Sequence, residues 1–228
     1  MIDHLDNIRN RLTILNFIVL SELKWSNSQK SSTNSSIMDE KEKRIVESAR
    51  DHFIHFGYKK TSLDDIIKSA QVGKGTVYKY FLNKHDLFKR VAEVEFETMF
   101  AYLQSVIIPE SDPEVKMILY VNARVLFTRQ YFLLRKRNRA VFEELKSAYM
   151  KTSPDNSRET AILTEILKSG EHRGLIVPGD NQQRSYLISQ IVSRFEIKWC
   201  EMDREKAQEE ITQLFNLLFK GLKSKHET

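Results

Sequence analysis

The stretch from Thr61 to Leu87, TSLDDIIKSAQVGKGTVYKYFLNKHDL, contains two short helical patterns separated by a glycine-containing break. Thr61 or Ser62 can cap the first pattern, because a hydroxyl accepts the unpaired amide hydrogens of a first helical turn. The break is the stretch QVGKG, in which Gly73 and Gly75 bracket Lys74 and allow a sharp turn and close approach of the backbone. Two short helices joined by such a turn form a helix-turn-helix, which is the structure we predict for this stretch.

The second helix of the motif is predicted over Lys74–Phe81. Val77 and Phe81 are four residues apart and share one face, which we expect to pack inward. The remaining polar and aromatic side chains of this helix are those of Thr76, Tyr78, Lys79 and Tyr80. Asn83 is the expected cap of the next helix, which leads the chain away from the motif.

Helices are expected throughout the chain, because only seven of its 228 residues are glycine and four are proline. So few turn formers argue against an all-β fold, which needs many turns. Apolar spacing predicts one helix before the motif, over 39–57, with Gly57 as its C-terminal cap. The predicted fold class is all-α, with an N-terminal three-helix helix-turn-helix domain over 38–84 and a larger helical C-terminal domain over 85–228.

Basic residues are concentrated in and around the motif. The whole chain has a formal net charge of +5. The window from Lys59 to Arg90 contains eight lysines and arginines and three acidic residues, so this window alone has an excess of five positive charges. A local excess of that kind suits a polyanionic partner such as nucleic acid.

Two segments, IVESARDHFIHFGYKKTSLDDII and VGKGTVYKYFLNKHDLF, resemble the DNA-binding domain of the TetR family of bacterial transcriptional regulators. They lie between Glu40 and Glu93, and their motif elements have the family spacing. Three positions depart from the family pattern. Gln71 stands where the family usually has Gly, Gly73 where it usually has Ser, and Leu82 where Pro is common. These departures concern the tightness of the turn and leave the DNA-contacting positions unchanged.

The resemblance implies that the chain binds duplex DNA through the second motif helix. A helix fits the major groove, where the base edges carry a distinct pattern of donors and acceptors. Tyr78 and Lys79 would then contact the groove, while Tyr80 and Lys84 would anchor phosphates. The predicted DNA-binding residues are Lys59, Thr61, Lys74, Gly75, Thr76, Tyr78, Lys79, Tyr80 and Lys84. For the tyrosines, packing within the domain is the alternative interpretation.

The last two helices, predicted over 182–200 and 204–223, both carry large apolar stripes, and the stripe of the final helix is broader than one neighbouring helix needs. Such a stripe suggests a partner, and the resemblance implies a dimer interface formed by the last two helices of each subunit. The candidate interface residues are Leu187, Ile191, Phe195, Ile211, Leu214, Phe215 and Leu218. Packing of both stripes within one chain is the alternative.

The resemblance also implies a small-molecule effector that binds the C-terminal domain and shifts the population away from the DNA-competent form. The candidate pocket residues are inward aromatics: Tyr102, Phe127, Tyr131, Tyr149 and Phe195. The expected function is that of a ligand-responsive repressor that binds a near-palindromic operator as a homodimer. The alternatives are an activator, and a protein of this fold that acts mainly through protein–protein contacts.

Enzymatic function is not expected, because the sequence has no glycine-rich phosphate loop, no clustered metal ligands and no nucleophile motif. We predict neither a metal ion nor a cofactor. The single cysteine, Cys200, excludes an internal disulfide and fits a reducing cytoplasm. No apolar run approaches the ~18–20 residues of a membrane span. A cytoplasmic protein without a membrane partner is therefore predicted.

An extension precedes the helical pattern over residues 1–37. It contains an apolar run, Leu12–Leu20, followed by the polar low-complexity stretch SNSQKSSTNSS. One interpretation is a disordered extension of little consequence, with Met38 as the natural start. Another is an arm that docks on a neighbour through the apolar run. A third interpretation is a membrane or export signal. The acidic residues Asp3 and Asp6 argue against it, because the start of a secretory signal is usually positively charged.

Overall fold

The structure, a computed structural model, describes residues 38–134, 144–148 and 157–222. Within these ranges the chain forms eight helices, and residues 144–148 are also helical. The helices are α1 Glu40–Lys60, α2 Leu63–Ala70, α3 Lys74–Tyr80, α4 Lys84–Ile107, α5 Pro113–Leu134, α6 Ser157–His172, α7 Asn181–Glu201 and α8 Arg204–Leu222. The predicted all-α fold class is confirmed. The predictions for residues 1–37 lie outside the described residues.

The chain divides into two compact units. Of the described residues, 38–101 and the described part of 129–157 form the N-terminal unit, and 102–128 with 158–222 form the C-terminal unit. The predicted domain boundary between residues 84 and 85 coincides with the start of α4, whereas the N-terminal unit extends along this helix to Ala101. Helix α4 therefore contains residues of both units.

Helix α1 begins at a side-chain cap and buries one face. The Asp39 carboxylate accepts hydrogen bonds from the amides of Lys41 and Glu42, at 2.9 Å each, and so satisfies two unpaired donors of the first turn. Its buried face follows helical spacing along Ile45, Ala49 and Phe53. Phe53 meets Phe88 of α4 edge to face, with ring centroids 5.0 Å apart, a favourable aromatic geometry. The apolar spacing of the sequence predicts Phe56 on this face as well, but its side chain is 57% exposed, so the core face ends at Phe53.

Gly57 bends α1 instead of ending it. Its φ of 81° and ψ of 162° lie outside the helical region, and the helix resumes on the far side and continues to Lys60. The prediction of a C-terminal cap at Gly57 was therefore wrong in its position, although it did identify a residue with positive φ. Only glycine adopts this combination of angles without steric cost. The bend directs the last residues of α1 towards the motif.

The turn of the motif closes on Gln71 in a left-handed conformation. Its φ is 55° and its ψ is 44°, and its amide donates to the Ile67 and Lys68 carbonyls at the end of α2. At the other end of α2, the Ser62 hydroxyl accepts from the Asp65 amide at 3.1 Å, which identifies Ser62 as the cap. The position at which glycine is usual in the resembled family is thus one that glycine suits best.

Replacing Gln71 by glycine is expected to raise the free energy of unfolding of the N-terminal unit by about 0.5–1 kcal/mol. The left-handed conformation costs a side chain about 1–2 kcal/mol, and the greater freedom of glycine in the unfolded chain removes part of that gain. Urea denaturation followed by circular dichroism would measure the change. Gln71→Ala should give no such increase, and an equal increase in both variants would contradict the explanation.

The C-terminal unit encloses a charged cluster in its core. Arg124 of α5 is 3% exposed, and its guanidinium donates from Nε and Nη2 to the two carboxylate oxygens of Glu196 in α7, at 3.0 Å each. The same guanidinium donates to Glu159 of α6, which also accepts a 3.2 Å hydrogen bond from the Tyr120 hydroxyl. The Thr128 hydroxyl donates to Glu196 at 2.8 Å. The cluster therefore joins three helices through polar contacts.

Burial and neighbouring charges shift the pKa values of two groups in this cluster, Arg124 and Tyr120. Burial opposes the charge on Arg124, but the carboxylates of Glu159 and Glu196 outweigh it, so the pKa of the guanidinium lies well above its ordinary value. Burial, and then the charge of Glu159, raise the pKa of the Tyr120 phenol well above its ordinary value. Arg124 consequently stays protonated, and Tyr120 stays a hydrogen-bond donor, throughout the physiological pH range.

Candidate nucleic-acid interface

Helix α3 is held in the N-terminal unit by two apolar side chains. Val77 is fully buried and Phe81, which follows the last residue of the helix, is 6% exposed, so the predicted inward face is confirmed. The amides of Thr76 and Val77 donate to the Gly73 carbonyl at 2.9 and 3.3 Å. Gly73 is the cap residue and contributes no side-chain hydrogen bond. A helix of seven residues without a side-chain cap depends on its surroundings for stability.

The outer face of α3 is basic and open. Lys74, Gly75, Tyr78 and Lys79 are exposed, and the Tyr78 side chain retains 45% of its accessible surface. Thr76 is half-buried. The Lys74 ammonium lies 3.2 Å from the Asp64 carboxylate, but both side chains are largely exposed, and such pairs contribute little. Four of the predicted DNA-binding residues are thus presented together on one short helix.

Gly75 is not required by the fold. A Cβ atom at this position would have no heavy atom within 4 Å, and the residue does not have a positive φ. A helix would therefore accept alanine here and would gain stability from it. What glycine does provide is a surface without a side chain, which another molecule can approach closely.

Thr61 is turned into the unit rather than towards solvent. Its side chain is 3% exposed, and its hydroxyl lies 2.9 Å from the Gly57 carbonyl and 3.1 Å from the His52 carbonyl. The Gly57 carbonyl also accepts the Thr61 amide at 3.3 Å, so Thr61 is bonded to the bend residue through both its amide and its hydroxyl. The Thr61 hydroxyl is thus used inside the protein, and a contact of this residue with DNA stays a prediction. Lys59, two residues earlier, is exposed.

The two predicted phosphate anchors both have partners within the N-terminal unit. The Tyr80 hydroxyl donates to the Asp39 carboxylate, 41 residues earlier in the sequence. This hydrogen bond lowers the pKa of the Asp39 carboxyl below its ordinary value and raises the pKa of the Tyr80 phenol. The Lys84 ammonium donates to the carbonyls of Tyr58 and Thr61 at 2.9 and 3.0 Å. Sequence reasoning missed these partners because they are distant in the chain.

The candidate effector-binding residues do not form one cluster among the side chains that the structure describes. Tyr102 and Phe127 stack on each other in the C-terminal unit, with ring centroids 5.9 Å apart, and both are half-buried. Phe195 stacks on Trp199 at 5.5 Å and is 38% exposed, so it lies at the surface and not in the interior. The side chains of Tyr131 and Tyr149 lie outside the described residues. Among the candidates whose side chains the structure describes, Tyr102 and Phe127 remain for an interior pocket.

The candidate dimer residues divide between the surface and the core of the C-terminal unit. Leu187 and Phe195 of α7 are exposed, by 52% and 38%, and three others are half-buried: Ile191, Leu214 and Leu218. Ile211 and Phe215 of α8 are 1% and 0% exposed, so these two are corrected to core residues that a partner subunit cannot reach. The surface also includes two residues that we did not predict, Tyr186 and Leu217, at 52% and 66% exposure.

Metal sites and membrane spans are absent from the part of the chain that the structure describes. Within it, no three His, Cys, Asp or Glu side chains are grouped so that they could hold a metal ion. None of the helices in these ranges is both long enough and apolar enough to cross a membrane.

Residues 45–91 match the model of the family described as bacterial regulatory proteins, tetR family. The chain is 25% identical over 189 residues to YhgD, an uncharacterized HTH-type transcriptional regulator of Bacillus subtilis, and this alignment covers 80% of the chain and 97% of YhgD. It is 33% identical over 69 residues to YuxN, a second uncharacterized HTH-type transcriptional regulator of that organism, covering 30% of the chain and 24% of YuxN.

Solved structures share the fold along most of the chain. A transcriptional regulator from Pectobacterium atrosepticum superimposes with a TM-score of 0.64 at 18% identity, over 85% of this chain and 99% of that one. Another from Cytophaga hutchinsonii gives a TM-score of 0.58 at 20% identity, over 82% of this chain and all of that one. At these identities the similarity establishes the architecture only.

Proposed function

We propose, because the chain belongs to the TetR family of bacterial regulatory proteins, that it is a ligand-responsive repressor that binds a near-palindromic operator as a homodimer. The observation that carries this proposal is the outer face of α3, where Lys74, Gly75, Tyr78 and Lys79 are exposed above the buried anchor Val77. A short basic helix that is fixed by its inner side and open on its outer side is suited to the major groove.

Within this proposal the exposed side chains of α3 have different tasks. Tyr78 and Lys79, near the middle of the helix, would meet the base edges and read sequence. Lys59 and Lys74, at the margins of the motif, would neutralise phosphates and contribute affinity without sequence preference. Gly75 would allow the sugar–phosphate backbone to approach the helix closely.

A homodimer follows from the small size of the reading helix, since seven residues contact too few base pairs to specify one genomic site. The exposed apolar side chains of α7 and α8 are the proposed interface: Tyr186, Leu187, Phe195 and Leu217. Helix α4 contains residues of both units and would transmit the effect of a ligand bound in the C-terminal unit. We place the protein in the cytoplasm, where its operator is.

Gly75→Ala is expected to separate folding from DNA binding. The free energy of unfolding of the variant should be about 0.5–1 kcal/mol higher than that of the wild type, because alanine is the better helix former. Its affinity for DNA should fall about tenfold, since an added methyl group at a close contact costs about 1–2 kcal/mol. Denaturation and fluorescence anisotropy measure the two effects. Gly221→Ala, at an equally open position in α8, is the control that should leave DNA binding unchanged.

The proposal is tested by selecting the genomic fragments that the purified protein binds and by footprinting them. We expect a protected near-palindrome, and a dimer that contacts about six phosphates should lose about a thousandfold in affinity between 50 and 200 mM salt. A screen for small molecules that displace the protein would identify the effector class. A reporter gene behind the selected fragment distinguishes repression from activation. The proposal fails if no fragment is enriched and sonicated duplex DNA is not bound at low salt.

A further inference from the structure

One acidic side chain lies beside the basic outer face of α3. Asp64, in the first turn of α2, has a carboxylate oxygen 3.2 Å from the ammonium of Lys74, the first residue of α3. We propose that Asp64 is a specificity-determining residue, which weakens binding to most DNA and tolerates sites that present an amino group to it. The inference rests on the proposed DNA-binding function and deepens it, because it assigns a task to a side chain that repels phosphate.

The contact with Lys74 places the Asp64 carboxylate at the end of α3 that meets the bases in a helix-turn-helix complex. In such complexes the first residues of the second helix contact base edges, and the first helix of the motif crosses the backbone. Asp64 belongs to that first helix, and Lys74 begins the second. The carboxylate is therefore near both the backbone phosphates and the edge of the groove.

The start of α2 does not depend on a hydrogen bond from Asp64. The Asp65 amide donates to the Ser62 hydroxyl at 3.1 Å, and that hydroxyl donates to the Asp65 carboxylate. The Asp64 side chain is 78% exposed, and its carboxylate is directed towards Lys74. A carboxylate in a first turn still favours the helix dipole, so a purely structural role would make its removal weaken the unit and its binding.

The charge of Asp64 opposes a phosphate in two ways. Lys74 neutralises a phosphate fully only if its ammonium leaves the carboxylate, with which it forms a weak and exposed pair. If Lys74 instead contacts both groups, the carboxylate and the phosphate lie within about 6 Å of each other and repel. The result is a cost that applies to every DNA sequence.

This cost is smaller where the groove offers the carboxylate a hydrogen-bond donor. In the major groove the donors are the amino groups of cytosine N4 and adenine N6, whereas guanine O6 and N7 and thymine O4 are acceptors. A carboxylate accepts from an amino group that lies opposite it and is repelled by an acceptor. Asp64 therefore discriminates mainly by rejecting wrong sequences, since it lowers the affinity for competing DNA more than the affinity for the operator.

The first test compares the binding of Asp64→Asn to a random-sequence duplex and to the fragment selected from the genome, by fluorescence anisotropy. Asparagine keeps the shape of the side chain and removes its charge. Affinity for the random duplex should rise about threefold to tenfold, and affinity for the selected fragment by less than about twofold. The ratio of the two affinities should therefore fall.

The matched control is Glu47→Gln, which removes the same charge from an exposed position of α1. It should leave the ratio of the two affinities unchanged, because its effect on DNA is at long range and independent of sequence. A gain of affinity in Asp64→Asn cannot come from a damaged fold. This direction of change therefore separates the proposal from a structural role of Asp64.

The second test repeats the selection on a random-sequence library with the wild type and with Asp64→Asn. The wild type should select cytosine or adenine at one position in each half of the palindrome. In Asp64→Asn this preference should relax, because an amide both donates and accepts. Glu47→Gln should return the wild-type preference.

The outcomes separate this inference from the proposed function. Equal gains of Asp64→Asn on the two DNAs, or no gain beyond that of Glu47→Gln, overturn the inference and leave the proposed function intact. A preference for cytosine or adenine that survives in Asp64→Asn overturns it as well. If neither the wild type nor the variant binds any duplex at low salt, the proposed function fails, and the inference fails with it.

Discussion

Replacing Arg124 by methionine is expected to lower the free energy of unfolding of the C-terminal unit by about 3–5 kcal/mol, the usual cost of removing one partner from a buried ion cluster. Methionine fills a similar volume, so the loss reports on charge more than on packing. It would leave the carboxylates of Glu159 and Glu196, which are 2% and 1% exposed, without the guanidinium that both contact. A buried carboxylate without a cation is among the most costly groups in a protein interior.

The measurement is urea denaturation followed by the fluorescence of Trp199, which is 1% exposed in the same unit, in a background where Trp25 is replaced by phenylalanine. Following a probe within the C-terminal unit avoids the assumption that both units unfold together. Arg158→Met, at an exposed position of α6, is the control and should change stability by less than about 0.5 kcal/mol. If the loss comes from unpaired buried carboxylates, the triple variant Arg124→Met/Glu159→Gln/Glu196→Gln should be more stable than Arg124→Met alone. A triple variant that is no more stable would contradict this explanation.

Gly57→Ala is the second variant for which we expect a large effect, a loss of about 2–3 kcal/mol in the N-terminal unit. A φ of 81° with a ψ of 162° places the residue where a Cβ atom collides with the backbone, and such conformations cost about 1–3 kcal/mol. Relaxing the angles would straighten α1 and separate the His52 carbonyl from the Thr61 hydroxyl, which now lie 3.1 Å apart although they are nine residues apart in the sequence.

Hydrogen exchange of the α1 and α2 amides would measure this loss within the unit that contains the bend. Gly221→Ala, at an open position of α8 in the C-terminal unit, is the control and should leave the exchange of the α1 and α2 amides unchanged. Wild-type protection of α1 and α2 in Gly57→Ala would show that the bend is not essential to the N-terminal unit. If the bend presents the Tyr58 and Thr61 carbonyls to Lys84, the variant should also expose α3 to exchange.

The helix-turn-helix motif and its helix caps could be predicted from the sequence, because both depend on residues that are close together in the chain. Apolar spacing and the two glycines placed α2 and α3 to within a residue or two of their observed bounds. Asn83 was expected to cap α4, and its side chain accepts the amides of His85 and Asp86 at 2.8 and 3.0 Å. Capping joins residues two or three apart, so the partners are visible side by side in the sequence.

The partners of Lys84, Tyr80 and Arg124 could not be read in this way. They lie 23 to 72 residues away in the sequence, and no periodicity encodes such pairs. For the same reason the sequence did not show that a basic or hydroxyl side chain beside the motif also has a carbonyl or carboxylate of the chain itself as a partner. The stripe on α8 shows a related limit, since apolar spacing does not say whether Phe215 faces its own chain or another.

The arrangement of α3 has a practical consequence for retargeting. The helix is attached to the N-terminal unit through the buried Val77 side chain and the hydrogen bond from Tyr80 to Asp39. By contrast, Lys74, Gly75, Tyr78 and Lys79 are exposed. The four exposed positions can therefore be randomised together in a library while the helix keeps its support. Variants that recognise new sequences should emerge from such a library without compensating changes elsewhere in the chain.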